Sequence, residues 1–258
     1  TVLVDDGVYS SGGAVTPLGI LTNRVCATNA IVIQSVNGPA LTTILGQGPR
    51  GENAVRAVYL SGGAQMVGFT IAGGATMTGG TFPYDQNGGG VYCIGGSSIS
   101  NCVVTGNAAN EGGGLYIWTS GNAYNCTIAS NQAAGGGGVR FSDAGNSVAR
   151  NCRIVGNFGP HAAGVHIYHS GRLQNCLIAD NVATQNTGGV YADWGSQGAI
   201  IENCTIAGNS APLYGGIGHV VNGPTVRNSI IHGNSGGNWS AGTFVYSATT
   251  PLPSGAGN

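Results

Sequence analysis

Along most of the chain the apolar positions fall two residues apart, inside short blocks bounded by glycine and asparagine. One block reads Asn101-Cys102-Val103-Val104-Thr105-Gly106-Asn107. It returns over Asn125 to Asn131, Asn151 to Asn157, Asn175 to Asn181 and Asn203 to Asn209, and a degraded copy with Ser229 in place of cysteine runs from Asn228 to Asn234. Successive copies are offset by 24, 26, 24, 28 and 25 residues. Gly68-Phe69-Thr70-Ile71 is an earlier, more divergent member. A second block alternates with the first: Gly90-Val91-Tyr92, Gly114-Leu115-Tyr116, Gly138-Val139-Arg140, Gly164-Val165-His166, Gly189-Val190-Tyr191 and Gly216-Ile217-Gly218. A period of two is the signature of a strand, and the Gly/Asn clusters between are turn signals. Each repeat therefore predicts at least two short strands.

A repeat of this size cannot bury an apolar face alone and must stack on its neighbours. Short parallel strands stacked at about 4.8 Å make a coil; about ten turns of roughly 25 residues give a rod of roughly 45–50 Å. The leucines do not recur with the L-x-x-L-x-L spacing of a leucine-rich repeat. A propeller would need four antiparallel strands per blade. The pattern predicts an all-β parallel β-helix over residues 1–234, with irregular first turns (1–73), an inserted loop (74–87) and regular repeats (88–234). Residues 235–258 are rich in Gly, Ser and Pro and read as a tail that holds a last or donated strand, Thr243-Phe244-Val245-Tyr246. The chain opens directly in strand-like Thr1-Val2-Leu3-Val4, with no candidate cap before it.

Alternation puts Cys102, Cys126, Cys152, Cys176 and Cys204 in one inward column beside Val104, Ile128, Ile154, Ile178 and Ile206. The cysteines lack metal-ligand spacing, and a free thiol packs as a small apolar group, so the column reads as core. The closing asparagines (107, 131, 157, 181, 209 and 234) fit left-handed turn positions and a stacked amide ladder, and the leading ones a second ladder. Of the glycosylation sequons, Asn238-Trp239-Ser240 is the one expected at the surface.

The repeats Asn-Cys-x-Ile-x-x-Asn and Gly-Gly-Gly-(Val/Leu)-Tyr resemble those of right-handed parallel β-helix proteins of the bacterial secreted or surface type, such as polymorphic outer-membrane proteins and autotransporter passengers. Thr1 to Tyr9 resembles the first rung of such domains. The resemblance implies a right-handed solenoid and an extracellular or cell-surface location. It leaves the activity open, because lyases, hydrolases, adhesins and tail fibres share the scaffold.

Composition narrows the choice. Glycine takes 49 of 258 positions, charged residues only 7%, and all eight cations are arginine, for a net charge of −1. No basic stripe exists to displace counterions from phosphates, which excludes nucleic-acid binding. No apolar run reaches the length of a membrane-spanning helix.

In the second block the residue after the inward Val or Leu points outward. Tyr92, Tyr116, Arg140, His166 and Tyr191 form one outward column, and Ile94, Trp118, Ser142, Tyr168 and Asp193 its neighbour, with His169 and Trp194 just beyond. Aromatic faces among polar groups suit sugar rings, which makes Tyr92, Tyr116, Trp118, Arg140, His166, Tyr168, Tyr191 and Asp193 the candidate ligand-binding set. The same stripe is equally consistent with cross-strand packing or assembly. If there is chemistry, Arg140, His166 and Asp193 are its candidates, with His166 and Asp193 as a base and its orienting group. Asp143 lies two rungs from Asp193, and Glu111 and Asp85, in turns, can reach the first stripe rungs. No metal or cofactor motif is present. The expectation is an extracellular, non-catalytic module with a structural, adhesive or filament-forming role, whose partner is another copy end to end or a glycan. The alternative is a glycan-binding protein or a polysaccharide lyase or hydrolase.

Overall fold

A computed structural model describes residues 1–143, 145–193, 198–219 and 223–258. The chain winds into a right-handed parallel β-helix. A regular rung has four strands, two beyond the pair that the repeats mark. Leu115–Trp118, Asn122–Tyr124, Thr127–Ala129 and Gln132–Gly135 make one such turn. Among the described residues, stacked rungs give four sheets, named here I to IV in that order, of nine, ten, ten and four strands. Among the described residues every strand ladder is parallel except the hairpin of Ala14–Val15 on Thr22–Asn23, with one further antiparallel bridge between Gln47 and Val55. The other two strands of each turn, in sheets II and IV, are two to five residues long and carry no residue block that recurs from turn to turn as the Asn-Cys and Gly-Val-Tyr blocks do.

Each corner has its own backbone solution. Between sheets II and III the leading asparagines Asn101, Asn125, Asn151, Asn175, Asn203 and Asn228 are left-handed, with φ from 46° to 56°. Between III and IV the left-handed residue is the one before the closing asparagine: Gly106, Ser130, Gly156, Asp180, Gly208 and Gly233. The closing asparagines themselves are not left-handed, contrary to expectation. Their side chains turn inward instead, and each amide donates to the next rung's Oδ1 at 2.9–3.0 Å from Asn107 through Asn234. The ladder continues through Asn234 to Asn238, which donates to Thr250 O. Asn238 is therefore buried, and its sequon is not at the surface.

Between IV and I the chain turns on three glycines at 88–90, 112–114 and 136–138, and on Ala162-Ala163-Gly164, Thr187-Gly188-Gly189 and Tyr214-Gly215-Gly216 in the later rungs. A Cβ on Gly114 would stand 2.7 Å from Gly138 O, and one on Gly138 the same distance from Gly164 O. Only glycine permits this approach.

Inside, the five column cysteines are free and buried beside Val104, Ile128, Ile154, Ile178 and Ile206, in the core shared by sheets I, II and III. Each buried isoleucine contributes about 1.5–3 kcal/mol. Residues 235–258 hold two more parallel strands, Thr243–Val245 on sheet II and Ala248–Thr249 on sheet III. The last residues fold back over them: Tyr246 N–H donates to Ala256 O at 2.9 Å, and Asn258 Oδ1 accepts from Ser247 N–H at 2.9 Å.

Candidate functional site

The inserted loop replaces one strand of sheet IV. Ala75 bridges Ala108 and Asn87 bridges Glu111, so residues 76–86 stand out from the rung between those two anchors. Two buried charges hold the insertion down. Asp85 accepts from the backbone N–H groups of Ile20 (2.8 Å), Leu21 (2.9 Å) and Thr81 (2.8 Å). It does not reach the stripe, as its turn position had suggested; it ties the loop to the N-terminal segment. Arg56, fully buried, spends all five N–H donors on Gly88 O, Thr16 Oγ1, Asn23 Oδ1, Tyr84 O and Asn87 O.

The stripe lies on the outer face of sheet I, in the predicted register: Tyr92, Tyr116, Arg140, His166 and Tyr191 stack on one another, as do Ile94, Trp118, Ser142 and Tyr168. Outward does not mean exposed. Tyr92, Tyr116, Arg140 and His166 are buried, because the insertion and the ends of the sheet IV strands fold over this face. Tyr84 of the insertion stacks on Tyr92 (6.2 Å) and meets Trp118 (5.8 Å). Tyr92 is thereby removed from the binding set and becomes core, packed between Tyr59 and Tyr116. Burial raises its phenol well above the usual range. Trp118, Tyr168, Tyr191 and Asp193 remain half-buried. Trp194 lies outside the described residues.

A chain of polar contacts crosses the stripe. Glu111, the last residue of its sheet IV strand, is carried by the Gly112–Gly114 corner to face Arg140 Nη2 at 3.5 Å. Arg140 Nη1 meets His166 Nδ1, and its guanidinium lies 5.2 Å from the centre of the Tyr168 ring. His166 Nε2 meets Asp193 Oδ2 at 3.3 Å. A guanidinium only donates, so Nδ1 accepts, and the neutral ring carries its proton on Nε2, toward Asp193. The His166–Asp193 couple exists, but the nitrogen that would act as base is occupied by Arg140. At the rim, Asp143 pairs with His169 one rung on. Both are left-handed, at φ 46° and 66°.

Two hollows flank this chain. One, of about 320 Å³, is lined by Phe82 and Pro83 of the insertion together with Glu111, Trp118, Arg140 and Tyr168, and also by Tyr116, Ser142 and Asp143. The other, of about 250 Å³, is lined by Glu111, His161, His166, Asn186, Tyr191 and Asp193, among others. Phe82 and Pro83 join the lining of this face, which the outward columns alone do not indicate. The insertion was legible as a length anomaly, but nothing local said where it would fold.

Burial and the adjacent Arg140 hold the His166 imidazole down to about 4, from 6.5. A depressed histidine keeps its contribution to stability above the unfolded value and loses it as pH falls. Between pH 6.5 and 4 the fold should therefore lose up to about 3 kcal/mol at this site. His166→Gln should flatten that part of the profile in urea titrations; an unchanged slope would show that His166 is not the group responsible.

The family model described as right-handed β-helix region matches residues 53–251, more than three quarters of the chain. Searches of curated proteins and of solved structures found no match.

Proposed function

We propose, from the premise that this chain belongs to the right-handed β-helix family, that it is an extracellular or cell-surface module that adheres by binding a glycan on the outer face of sheet I. The family includes both structural or adhesive proteins and polysaccharide-degrading enzymes. One observation carries the choice of ligand: Trp118 and Tyr168 line the same hollow as Glu111, Arg140, Ser142 and Asp143. Aromatic walls take the apolar face of a sugar ring, and the polar groups its hydroxyl rim.

Binding without turnover is favoured because the reactive groups are engaged. His166 uses both ring nitrogens, and Arg140 is shared between His166 and Glu111. Elimination from a uronate would need a base other than His166 or Arg140. A second reading, hydrolysis, is kept because Glu111 and Asp193 line one hollow, and a carboxylate pair is the minimum for that reaction.

Trp118→Ala should weaken glycan binding at least tenfold, about 1.4 kcal/mol, in isothermal titration, while Trp118→Phe keeps most of it. Equal affinity of Trp118→Ala and wild type would overturn the assignment. Release of reducing ends on prolonged incubation, abolished by Glu111→Gln, would replace adhesion with hydrolysis.

A further inference from the structure

The two hollows on the stripe have a third neighbour. A hollow of about 330 Å³ lies over the strands Ala108–Glu111 and Gln132–Gly135 of sheet IV, with Arg50 and Pro160 in its wall. Ala134 lines both this hollow and the one beside His166, and Pro160 is followed directly by His161 of the latter. Glu111 in turn lines both stripe hollows. The three thus lie next to one another, from sheet IV across the strand ends onto sheet I, with Ala134 and Glu111 at the boundaries between them.

The charge across these three hollows is uneven. The two stripe hollows are lined by three carboxylates, Glu111, Asp143 and Asp193, and one arginine, Arg140, together with His161 and a His166 that is neutral near pH 7; Asp143 also pairs with His169 at the rim. The third presents Arg50 among alanines, Gln132 and Pro160. Arg50 is half-buried and held in place by the insertion: Nε donates to Thr76 Oγ1 at 3.3 Å and Nη2 to Met77 O at 3.1 Å. No carboxylate pairs with it among the described residues. A positioned, half-desolvated guanidinium without a counter-ion is a recognition element for a carboxylate or a sulfate.

We infer that the glycan site extends to Arg50, and that its ligand is a linear oligosaccharide of at least three units, anionic at the unit over Arg50 and neutral over Glu111. This rests on the glycan reading and sharpens it. A polymer charged at every unit would place anions against Glu111, Asp143 and Asp193 and be repelled.

The test is titration calorimetry of the full chain with four probe series: neutral cello-oligosaccharides, hyaluronan oligomers, keratan sulfate oligomers and oligogalacturonates, each from two to six units. Affinity should rise until at least three units are present. Hyaluronan or keratan sulfate oligomers should bind at least tenfold more tightly than the neutral and the all-uronate series; which of the two wins separates carboxylate from sulfate. Arg50→Gln should abolish that preference and leave cello-oligosaccharide binding unchanged. Gln132→Glu, at an exposed position of the same hollow, should do the same with Arg50 intact, which guards against loosening of the insertion. If Trp118→Ala loses binding but neither Arg50→Gln nor Gln132→Glu alters the preference, this inference fails and the glycan reading stands. If wild type binds none of the probes, both fail.

Discussion

Replacing Arg56 by methionine should lower the unfolding free energy by about 5 kcal/mol or more, at about 1–3 kcal/mol for each buried acceptor left without its donor. Methionine matches the volume of the arginine stem but supplies no donor. Thr16 Oγ1, Asn23 Oδ1 and the carbonyls of Tyr84, Asn87 and Gly88 would lose a shared partner at once. The guanidinium also lies 5.0 Å over the Tyr92 ring, so the contact that seats the aromatic stack goes with it. Burial has already lowered the Arg56 pKa to about 10. Lysine should recover only part of the loss, because three donors on a flexible stem cannot reach five fixed acceptors. Equilibrium urea unfolding checks the size of the effect. The loss should also loosen the insertion and so weaken any ligand held by Phe82 and Pro83. A change below about 1 kcal/mol would mean that Arg56 behaves as a surface charge does, and that the insertion is held by other contacts.

The effect assigned to Arg56 could not have been read from the sequence, and the reason is general to this fold. Alternation within Cys-x-Ile blocks reports which side of a strand a residue occupies, and on that point the buried Cys and Ile columns agree with the pattern. It says nothing about what folds over the other side. Tyr92 points outward from sheet I and is fully buried, because Tyr84, eight positions earlier, returns to cover it. Glu111 was recognised as a turn carboxylate within reach of the stripe. Its partner Arg140 follows only from the tightness of the Gly112–Gly114 corner, which sets the end of a sheet IV strand against the next rungs of sheet I. Composition also misled at one point. Both asparagines of the repeat suit left-handed turns, and only the structure shows that the leading one takes that backbone while the closing one gives its side chain to the core.

That division of labour carries the other large expected effect. Asn157, 1% exposed, sits in the middle of the inner ladder. Its amide donates to Ile128 O (3.0 Å) and Asn181 Oδ1 (2.9 Å), and its Oδ1 accepts from Asn131 N–H and Nδ2, both at 3.0 Å. Alanine would delete all four bonds and leave the partners no water to replace them. At about 1–3 kcal/mol for each orphaned buried group, Asn157→Ala should cost about 4 kcal/mol or more. Aspartate should be worse near neutral pH. It can still accept from Asn131, but its second oxygen meets two further acceptors, Ile128 O and Asn181 Oδ1. Protonation would restore a donor, so Asn157→Asp should recover on acidification relative to Asn157→Ala. The control is Asn151→Ala on the outer ladder, where exposed side chains exchange single bonds with Asn125 (3.0 Å) and Asn175 (3.1 Å) that water can replace. There the loss should stay near 1 kcal/mol, part of it from the left-handed φ of 56° that alanine tolerates poorly. Because each rung contacts only its neighbours, a defect at Asn157 should also split the unfolding transition into two, one for each side of the broken rung. Equal costs for Asn157→Ala and Asn151→Ala would mean that the sheets alone set the register and the inner amides are passengers.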